Sequence, residues 1–435
     1  MNANPAASAC ADDERAFRYR VPVGQMTVRA TARGAERHAL DGTKVDVLIC
    51  GASFAGLAVA RELVGCGASV LLIDRYELGE RATSACAAPT PWLQALGLSD
   101  SIRQEIPHMR FTTPHGSVRY RLPWSWSAFD YRHLCQLLYE QSGSRFQTAT
   151  VKGRVPDEGT PAAEGISVVT DRGVLTAPLV VDALGWRRVL GRSGYQPPAA
   201  PLSRGLEVHP HGQSEDLEVW IERSLVQRGY GWRVPAAGEA RVGVASYAPA
   251  GHVRGPTDQL AERLELEAVR YQGNWFPHRL RPAVEDSIFF VGDSAGHCFP
   301  LSGEGIRTAF YFGIACGREL AAVLEQRSSR AAALERYASF SAGHARAFAI
   351  AGALQRTIPA LPPRLLMSVL RLMARQPLID RSFGWYLDQA HPSFALPDAR
   401  LRPAITTSRR TAVSSVLVDA GSWARGTSAK IRRHG

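Results

Sequence analysis

The alternation of apolar and polar positions near the start of the chain predicts a strand, a helix and a second strand. The apolar run Val45–Ile49 predicts the first strand, and the glycine-rich turn Gly51–Gly56 follows it. The spacing predicts a helix over Leu57–Val64 and a second strand over Ser69–Ile73. Because parallel strands need a crossover connection, these residues predict a βαβ unit.

Later in the chain the pattern changes twice. Residues 200–282 alternate between apolar and polar positions and are rich in turn residues, which is typical of an antiparallel sheet. The apolar run Ile288–Val291 predicts another buried strand, and a helix is expected from about Gly305 to Glu325. Residues 331–390 favour helices interrupted by prolines. Three shorter elements are also predicted: a helix over Asp130–Glu140, a hairpin over Gly165–Thr176 and a strand over Leu179–Val181.

Composition excludes several classes of protein. Of the 435 residues, 45% are hydrophobic and 21% are charged, which excludes collagen-like, coiled-coil and wholly disordered chains. The seven cysteines are scattered and never spaced as CxxC, so we expect neither a disulfide framework nor a structural zinc site. A reducing, cytoplasmic location is therefore expected. The longest apolar run, Val47–Ala60, is too short to span a bilayer.

The net charge of +11 is concentrated at the ends of the chain. Residues 399–435 contain eight Lys or Arg and one Asp, and residues 1–44 contribute +2, which leaves +2 for residues 45–398. A nearly neutral central part does not favour a nucleic-acid groove, so no nucleic-acid partner is expected. The basic tail is either a solvated end or a segment that lies on anionic lipid at the inner membrane face.

The turn after the first strand carries a dinucleotide-binding fingerprint of the form G-x-S-x-x-G. Gly51 allows the tight turn, Ser53 is small enough for backbone N–H groups to approach a pyrophosphate, and Gly56 lets the helix pack against the strand. Asp74 closes the second strand, where a carboxylate can accept a hydrogen bond from a ribose. The strand, the helix and the terminal acid together favour a dinucleotide site over a plain structural turn.

A second glycine-rich segment lies more than 230 residues further along the chain. A buried strand leads into Gly292-Asp293 and a loop of small residues, which continues to Gly303–Ile306. This arrangement places Asp293 near a ribityl chain and directs helix N–H groups at the pyrimidine edge of a flavin. The simpler interpretation is a tight connection in which Asp293 caps a helix. The presence of the first fingerprint in the same chain favours the flavin.

With these two motifs and the Asp-Gly segment Val180–Trp186, the chain resembles the FAD-dependent geranylgeranyl reductase family. The resemblance covers residues 45–390, within a wider group that includes aromatic hydroxylases and flavin-dependent halogenases. It implies a mixed α/β and α+β fold. A Rossmann-like FAD-binding domain would carry an inserted antiparallel-sheet substrate domain and a C-terminal helical region. The expected boundaries are an irregular extension at 1–44, the FAD-binding domain at 45–195 and 285–330, the substrate domain at 196–284, the helical region at 331–398 and the basic tail at 399–435.

The resemblance also implies non-covalent FAD and a set of residues around it. Tyr131-Arg132 resembles the place where an arginine reaches the FAD phosphates, although a surface salt bridge is the alternative for Arg132. Val151, taken to end a strand, resembles the adenine contact, with plain core packing as its alternative. The implied FAD contacts are Gly51, Ser53, Ala55, Gly56, Asp74, Arg75, Arg132, Val151, Asp293, Gly303, Gly305 and Ile306.

The segment Tyr230–Pro235 resembles the Y-x-W-x-F-P motif with which geranylgeranyl reductases line a substrate cavity. Two aromatic residues two positions apart on a strand lie on one face, where they form an apolar wall or pack in the core. Val234 stands where the family has Phe, and Ala236 stands where Lys is frequent.

Halogenases carry W-x-W-x-I-P at this place and need a catalytic lysine. The chain has no Lys between Lys44 and Lys152, which disfavours a halogenase.

Cys86 resembles the cysteine that these reductases hold near the flavin, although Ala87-Ala88 stand where the family has Gly-Gly. The thiol is a candidate proton donor to the carbon opposite the hydride, and a buried, inert thiol is the alternative. His297 and Cys298 adjoin the flavin loop without further ligands at metal spacing, so no metal is expected.

The resemblance implies an FAD-dependent oxidoreductase that reduces C=C bonds of an isoprenoid chain in a prenyl lipid or a quinone. Tyr230 and Trp232 would shape the slot for the chain, with Cys86 as the candidate proton donor. The electrons would come from NAD(P)H or ferredoxin. The expected partner is therefore an apolar small molecule or lipid, and the sequence leaves the oligomeric state open.

Two alternatives stay open at this point. The first is a flavin-dependent monooxygenase that hydroxylates an aromatic or polyketide-like substrate with NAD(P)H and O₂. The second is an FAD-binding assembly or redox-sensing protein without turnover. The apolar face of the helices at 331–390 roofs a cavity, contacts a membrane surface or forms ordinary core.

Overall fold

The computed structural model describes residues 38–82, 84–155, 165–192, 202–248 and 251–396. Most of the predicted N-terminal extension and the whole basic tail lie outside the described residues.

The described residues form three sheets and a group of helices. The strands are β1 (Thr43–Lys44), β2 (Val47–Cys50), β3 (Val70–Asp74), β4 (Ala87–Pro89), β5 (Ile102–Thr113), β6 (Gly116–Phe129), β7 (Arg145–Thr148), β8 (Val151–Arg154), β9 (Ile166–Thr170), β10 (Gly173–Ala177), β11 (Leu179–Asp182), β12 (Leu202–Val208), β13 (Leu217–Trp220), β14 (Gly229–Pro235), β15 (Ala240–Ser246), β16 (Gln272–Pro277), β17 (Val284–Glu285) and β18 (Ile288–Phe290). The α-helices are α1 (Phe54–Glu62), α2 (Thr90–Ala95), α3 (Tyr131–Glu140), α4 (Arg254–Arg263), α5 (Ile306–Leu324), α6 (Arg330–Ala342), α7 (Ala345–Thr357), α8 (Pro363–Met373) and α9 (Gln376–Asp388).

The predicted βαβ unit forms the centre of a six-stranded sheet with the strand order β17-β18-β11-β2-β3-β7. β2 pairs in parallel with β3 and β11, and β18 pairs in parallel with β11. Helix α1 begins at Phe54, so the predicted start at Leu57 is wrong. The turn closes earlier because Gly51 and Gly56 have no side chains: a Cβ on Gly56 would lie 1.9 Å from the Gly51 carbonyl oxygen.

The predicted antiparallel sheet is present but larger than expected. Its eight strands have the order β16-β12-β15-β14-β13-β5-β6-β4. The long β5–β6 hairpin joins it through a parallel pairing of β5 with β13. Strands β4, β5 and β6 therefore belong to this sheet, although the sequence analysis assigns their residues to the first part of the FAD-binding domain. The hairpin was missed because β5 is mostly exposed or half-buried, so it lacks a regular apolar alternation.

Two further sequence-based expectations concern the small four-stranded sheet, whose order is β1-β10-β9-β8. The predicted hairpin is confirmed, with β9 and β10 joined at Asp171-Arg172. Val151 begins β8, so the expectation that it ends a strand is wrong. The chain leaves β7 at Thr148 and re-enters extended structure at Val151 as it crosses to the other sheet.

The predicted helices are confirmed in the second half of the chain. Helix α5 packs against α1 so closely that a Cβ on Gly313 would lie 2.7 Å from the Ala55 carbonyl oxygen. Pro363 and Pro377 lie in the first turns of α8 and α9. Backbone N–H groups in a first turn have no acceptor within the helix, so a proline there costs no hydrogen bond. Within the described ranges, none of the helices combines the length and the apolar character that crossing a bilayer would require.

Candidate active site

A cavity of about 1040 Å³ is bordered by residues from both large sheets and from helices α7 to α9. Most of the site residues expected from the sequence border it. They are Ser53, Ala55, Asp74, Arg75, Cys86, Val151, Tyr230, Trp232, Asp293, Gly303, Gly305 and Ile306. Residues more than 200 positions apart in the chain are thus brought to one cavity.

Three of the expected FAD residues do not border the cavity. Gly51 is buried with a φ of +111°, and a Cβ there would lie 2.3 Å from the Ala183 carbonyl oxygen. Gly51 therefore permits the tight turn without facing the cavity. Gly56 has the same kind of role through its contact with Gly51. Arg132 is exposed, and its backbone packs against Gly79, which does border the cavity.

Asp74 ties the glycine-rich turn to the end of β3. Its Oδ2 accepts a hydrogen bond from the backbone N–H of Ala52 at 2.8 Å, and its Oδ1 accepts one from Tyr76 at 3.0 Å. Burial raises the pKa of this carboxyl, against the opposing effect of these hydrogen bonds. Since each carboxylate oxygen accepts more than one hydrogen bond, Asp74 keeps acceptor capacity toward the cavity for a ribose hydroxyl.

Asp293 lies where the two glycine-rich motifs meet. Gly292, with a φ of +60°, approaches Ala55 so that a Cβ on Gly292 would lie 3.0 Å from the Ala55 Cβ. Burial raises the pKa of Asp293 to about 6, with Arg281 acting in the opposite direction. Among the described residues none donates a hydrogen bond to the Asp293 carboxylate, so it is available to hydroxyl groups in the cavity.

These observations fit FAD. Two carboxylates, Asp74 and Asp293, offer acceptors to a ribose and to a ribityl chain, and the tight turn at Gly51 leaves room for a phosphate against the start of α1. The N-cap residue of α1, Ser53, makes no side-chain cap, so the first N–H groups of the helix stay available. Gly303 and Gly305 border the same cavity and would be the residues that hold the ring system.

Cys86 lies on the cavity wall in a left-handed backbone conformation, with a φ of +49°. Its Sγ lies 3.2 Å from the Ser84 carbonyl oxygen. Burial raises the pKa of the thiol to about 12, and the nearby Arg241 opposes this only in part. The thiol is therefore protonated at neutral pH and is not a ready thiolate.

Tyr230 and Trp232 lie on one face of β14, with ring centroids 6.0 Å apart. The Tyr230 hydroxyl donates to the carbonyl oxygen of Ser302, beside the Gly303 turn. The Trp232 indole N–H donates to Oε2 of Glu207 at 3.1 Å. Both rings therefore border the cavity, as the sequence predicts. The Tyr230 hydroxyl and the Trp232 indole N–H donate to different residues.

Sequence reasoning missed Glu207, which is 2% exposed and borders the cavity. Its Oε1 accepts from Gln272 Nε2 at 2.5 Å and lies 3.0 Å from His209 Nε2. The available signal was a carboxylate between two apolar residues, Leu206 and Val208, in a segment expected to form a strand. A buried carboxylate is costly unless it is hydrogen-bonded, and Glu207 has three polar side chains as partners. Its place in the strand does not account for these contacts.

Beyond the aromatic wall the cavity is apolar. Its far part is bordered by Met109, Phe111, Tyr120, Leu217, Leu366, Leu370, Met373 and Phe383. These residues come from β5, β6, β13, α8 and α9. One cavity thus extends from the residues of the two glycine-rich motifs to an apolar part bordered by α8.

A second cavity, of about 960 Å³, shares the lining residues Gln355 and Pro359 with the first. Its distinguishing residues are four arginines: Arg223, Arg228, Arg279 and Arg356. None of the four forms a salt bridge with an acid in the described parts of the chain. Burial lowers the pKa of the adjoining His278 to about 4, with Arg279 and Arg356 adding to the effect. An arginine-rich cavity thus adjoins the apolar one.

No protein-family model matches the chain. It is 24% identical over 330 residues to digeranylgeranylglycerophospholipid reductase 1 of Methanothermobacter thermautotrophicus, which covers 68% of this chain and 81% of that protein. It is 23% identical over 331 residues to digeranylgeranylglycerophospholipid reductase 3 of Methanosphaera stadtmanae, with 69% and 83% covered.

Among solved structures, the chain is similar to a geranylgeranyl bacteriochlorophyll reductase-like protein from Thermoplasma acidophilum. The TM-score is 0.69 at 17% identity, over 80% of this chain and 97% of that one. A flavin-dependent brominase matches with a TM-score of 0.61 at 16% identity, over 88% and 100%. Identities this low establish the fold. Together with the sequence similarity to the two reductases, this fold supports an FAD-dependent oxidoreductase that resembles the geranylgeranyl reductases.

Proposed function

We propose that the protein reduces C=C bonds in the isoprenoid chain of a lipid. The observation that carries this proposal is the continuity of one cavity from the flavin-binding residues to the apolar face of α8. A small aromatic substrate would leave most of the apolar part unfilled. A long isoprenoid fills it and presents successive double bonds to the region around Gly303 and Cys86.

The arginine-rich cavity favours a substrate with an anionic head group. Gln355 and Pro359 line both cavities, so the arginine-rich cavity lies next to the apolar one. Guanidinium groups bind phosphate oxygens strongly. The two reductases to which the chain is similar are named for a phospholipid substrate. The proposed substrate is therefore an isoprenoid lipid with a phosphate-containing head.

Bound FAD, once reduced, supplies a hydride. The protein's own residues then have three tasks. Asp74 and Asp293 hold the cofactor's hydroxyl groups, Tyr230 and Trp232 position the alkene, and an acid on the cavity wall supplies a proton. The resemblance to the reductases makes Cys86 one candidate for that acid. The proposed electron source is NAD(P)H or ferredoxin, bound outside the one glycine-rich fingerprint, which FAD occupies.

We also propose that the protein meets its substrate at a membrane surface through α7 and α8. The exposed apolar side chains on these helices are Ile350, Leu354, Leu365, Val369 and Leu372, between 38% and 51% exposed. Leu354 and Val369 also border the active-site cavity, so the same helices reach the surface and the cavity. A lipid chain could pass from a bilayer into the cavity at this point.

The proposal is tested by anaerobic turnover with chemically reduced enzyme and three probes: a geranylgeranyl phospholipid, geranylgeranyl diphosphate and geranylgeraniol. Mass spectrometry should find products heavier by two hydrogens per reduced bond. A protein that hydroxylates an aromatic substrate in air, and leaves all three probes unchanged without oxygen, would instead be a monooxygenase.

A further inference from the structure

A chain of hydrogen-bonded, ionisable side chains runs from the cavity wall toward the solvent. Glu207, at the cavity, has a side chain only 3% exposed. The imidazole of His209 lies between two carboxylates: Nε2 is 3.0 Å from Glu207 Oε1, and Nδ1 is 3.4 Å from Glu239 Oε1. The His209 side chain is 13% exposed, so its edge reaches water.

Three arginines beside these hydrogen-bonded side chains hold Glu239 in its ionised form. Arg241 Nε lies 3.0 Å from Glu239, Arg270 Nη1 lies 3.3 Å away and Arg103 Nη1 lies 3.9 Å away. Burial raises the pKa of Glu239, but hydrogen bonds from His209 and Arg241 outweigh this and lower it to about 2. Glu239 therefore anchors the imidazole and does not itself exchange protons near neutrality.

His209 is set up to carry a proton. Burial lowers the pKa of its imidazole, but the hydrogen bonds to Glu207 and Glu239 outweigh burial and raise the pKa above its ordinary value. A proton on the ring is shared with Glu207 on the cavity side. Gln272 and Trp232 hold the Glu207 carboxylate in place through their N–H groups, at 2.5 Å and 3.1 Å.

We infer that Glu207 delivers the proton to the substrate and that His209 returns a proton to Glu207. The inference rests on the proposed alkene reduction. A hydride from the reduced cofactor forms one C–H bond as the C=C π bond breaks. The N–H bond of the His209 imidazolium breaks as its proton passes to Glu207 Oε1, and Glu207 passes a proton on to the other carbon, where the second C–H bond forms. His209 then takes a new proton from water.

The surroundings of Cys86 favour Glu207 as the donor. In the described parts of the chain, the hydrogen bonds of the Cys86 thiol are with Ser84, which is not an ionisable residue. The side-chain amide of Gln272 links Glu207 to the segment that carries Cys86. Its Nε2 donates to the Ser84 carbonyl oxygen at 3.2 Å and to Glu207 Oε1 at 2.5 Å. Glu207 thus lies on the same stretch of cavity wall as Cys86 but is connected to solvent.

The test compares E207Q, H209Q and C86S with H211Q, a matched control at an exposed histidine nearby. Reoxidation of the reduced enzyme by an isoprenoid is followed anaerobically in a single turnover from pH 5.5 to 9. E207Q should slow reoxidation by roughly 100-fold or more with unchanged substrate affinity. The wild-type rate should fall as pH rises through the His209 pKa, and H209Q should lose this fall. H211Q should stay within about threefold of the wild type, and C86S should keep the fall with pH that H209Q loses.

A second readout does not depend on turnover. Proton NMR of the FAD-loaded, oxidised protein should give His209 a pKa above the ordinary histidine value of 6.5, and E207Q should lower it. H209Q keeps the inference testable if E207Q fails to fold. If wild-type enzyme is not reoxidised by any isoprenoid, the proposed function fails, while the NMR result still tests the His209–Glu207 pair. Reoxidation in the wild type, with E207Q and H209Q unchanged in rate and pH profile, would overturn the inference alone.

Discussion

The indole N–H of Trp232 donates to Oε2 of Glu207 at 3.1 Å, while the same ring lies 6.0 Å from the ring of Tyr230. One residue thus belongs both to the aromatic wall of the cavity and to the hydrogen bonds that hold a buried carboxylate. A substitution that keeps the ring can separate these two contributions.

Replacing Trp232 by Ala should remove the wall and the hydrogen bond together. We expect turnover with an isoprenoid to fall by about 10- to 100-fold, because a poorly positioned alkene loses the geometry needed for hydride transfer. W232F keeps an aromatic ring on the wall but loses the N–H and part of the ring surface, so its loss should be smaller than that of W232A. Steady-state kinetics of both variants measure the difference. Unchanged turnover in W232A would show that Trp232 does not position the substrate.

Asp293 should make the stability of the apoprotein depend on pH. Burial raises the pKa of its carboxyl to about 6, above the ordinary value of 3.8. The stability that it contributes is therefore fully present below pH 3.8 and is lost as pH rises through about 6. D293N cannot titrate, so it should be more stable than the wild type at pH 7.5 by about 3 kcal/mol, but not at pH 4.

Urea unfolding at the two pH values measures this effect, and D286N is the matched control with the opposite sign. The Arg192 guanidinium that hydrogen-bonds to Asp286 lowers the pKa of Asp286 to about 2, so its stabilisation is lost as pH falls through about 2. D286N should therefore be less stable than the wild type at pH 7.5. D293N should also bind FAD more weakly, as measured by flavin fluorescence. Equal FAD affinity in D293N and the wild type would remove Asp293 from the cofactor site.

The arginine-rich cavity should determine the affinity for an anionic head group. R356A should raise the KM for geranylgeranyl diphosphate about 5- to 10-fold, since it removes a charge-assisted hydrogen bond to phosphate. The KM for geranylgeraniol should not change. Arg364, exposed on α8 outside both cavities, provides the control variant R364A. If R356A affects both substrates equally, or neither, the cavity does not bind the head group.

The exposed face of α8 should bind membranes. Leu365 and Leu372 are 50% and 51% exposed, and burial of each against lipid would contribute on the order of 1 kcal/mol. The double variant L365S/L372S should therefore bind vesicles of phosphatidylcholine and phosphatidylglycerol about tenfold more weakly in flotation assays. L396S replaces a leucine that is 45% exposed elsewhere on the surface and serves as the control. Equal flotation of the double variant and the wild type would contradict a membrane role for α8.

The parts of the site that depend on short stretches of chain could be predicted from the sequence. The turn at Gly51, the acid that ends β3 and the loop at Asp293 each have a local pattern with a physical meaning. Their meeting in one cavity follows from a parallel sheet, whose strand ends share an edge.

Other features could not be predicted because they arise from pairings between distant segments. Glu207 reaches the surroundings of Cys86 only because β12 and β16 are neighbours and Gln272 on β16 bridges to Ser84. The arginine-rich cavity combines residues from the β13–β14 connection with Arg279 and Arg356. The β5–β6 hairpin lacks the alternation that would reveal it. In each case the local sequence is ordinary, and the tertiary arrangement supplies the site.

The most direct test of the account is the flavin spectrum of photoreduced, oxygen-free protein mixed with geranylgeranyl diphosphate. We predict that the oxidised flavin absorbance returns without oxygen and that the lipid gains two hydrogens for each flavin reoxidised. A flavin that stays reduced with every isoprenoid, and forms an oxygen adduct on exposure to air, would contradict the proposed alkene reduction and favour a monooxygenase.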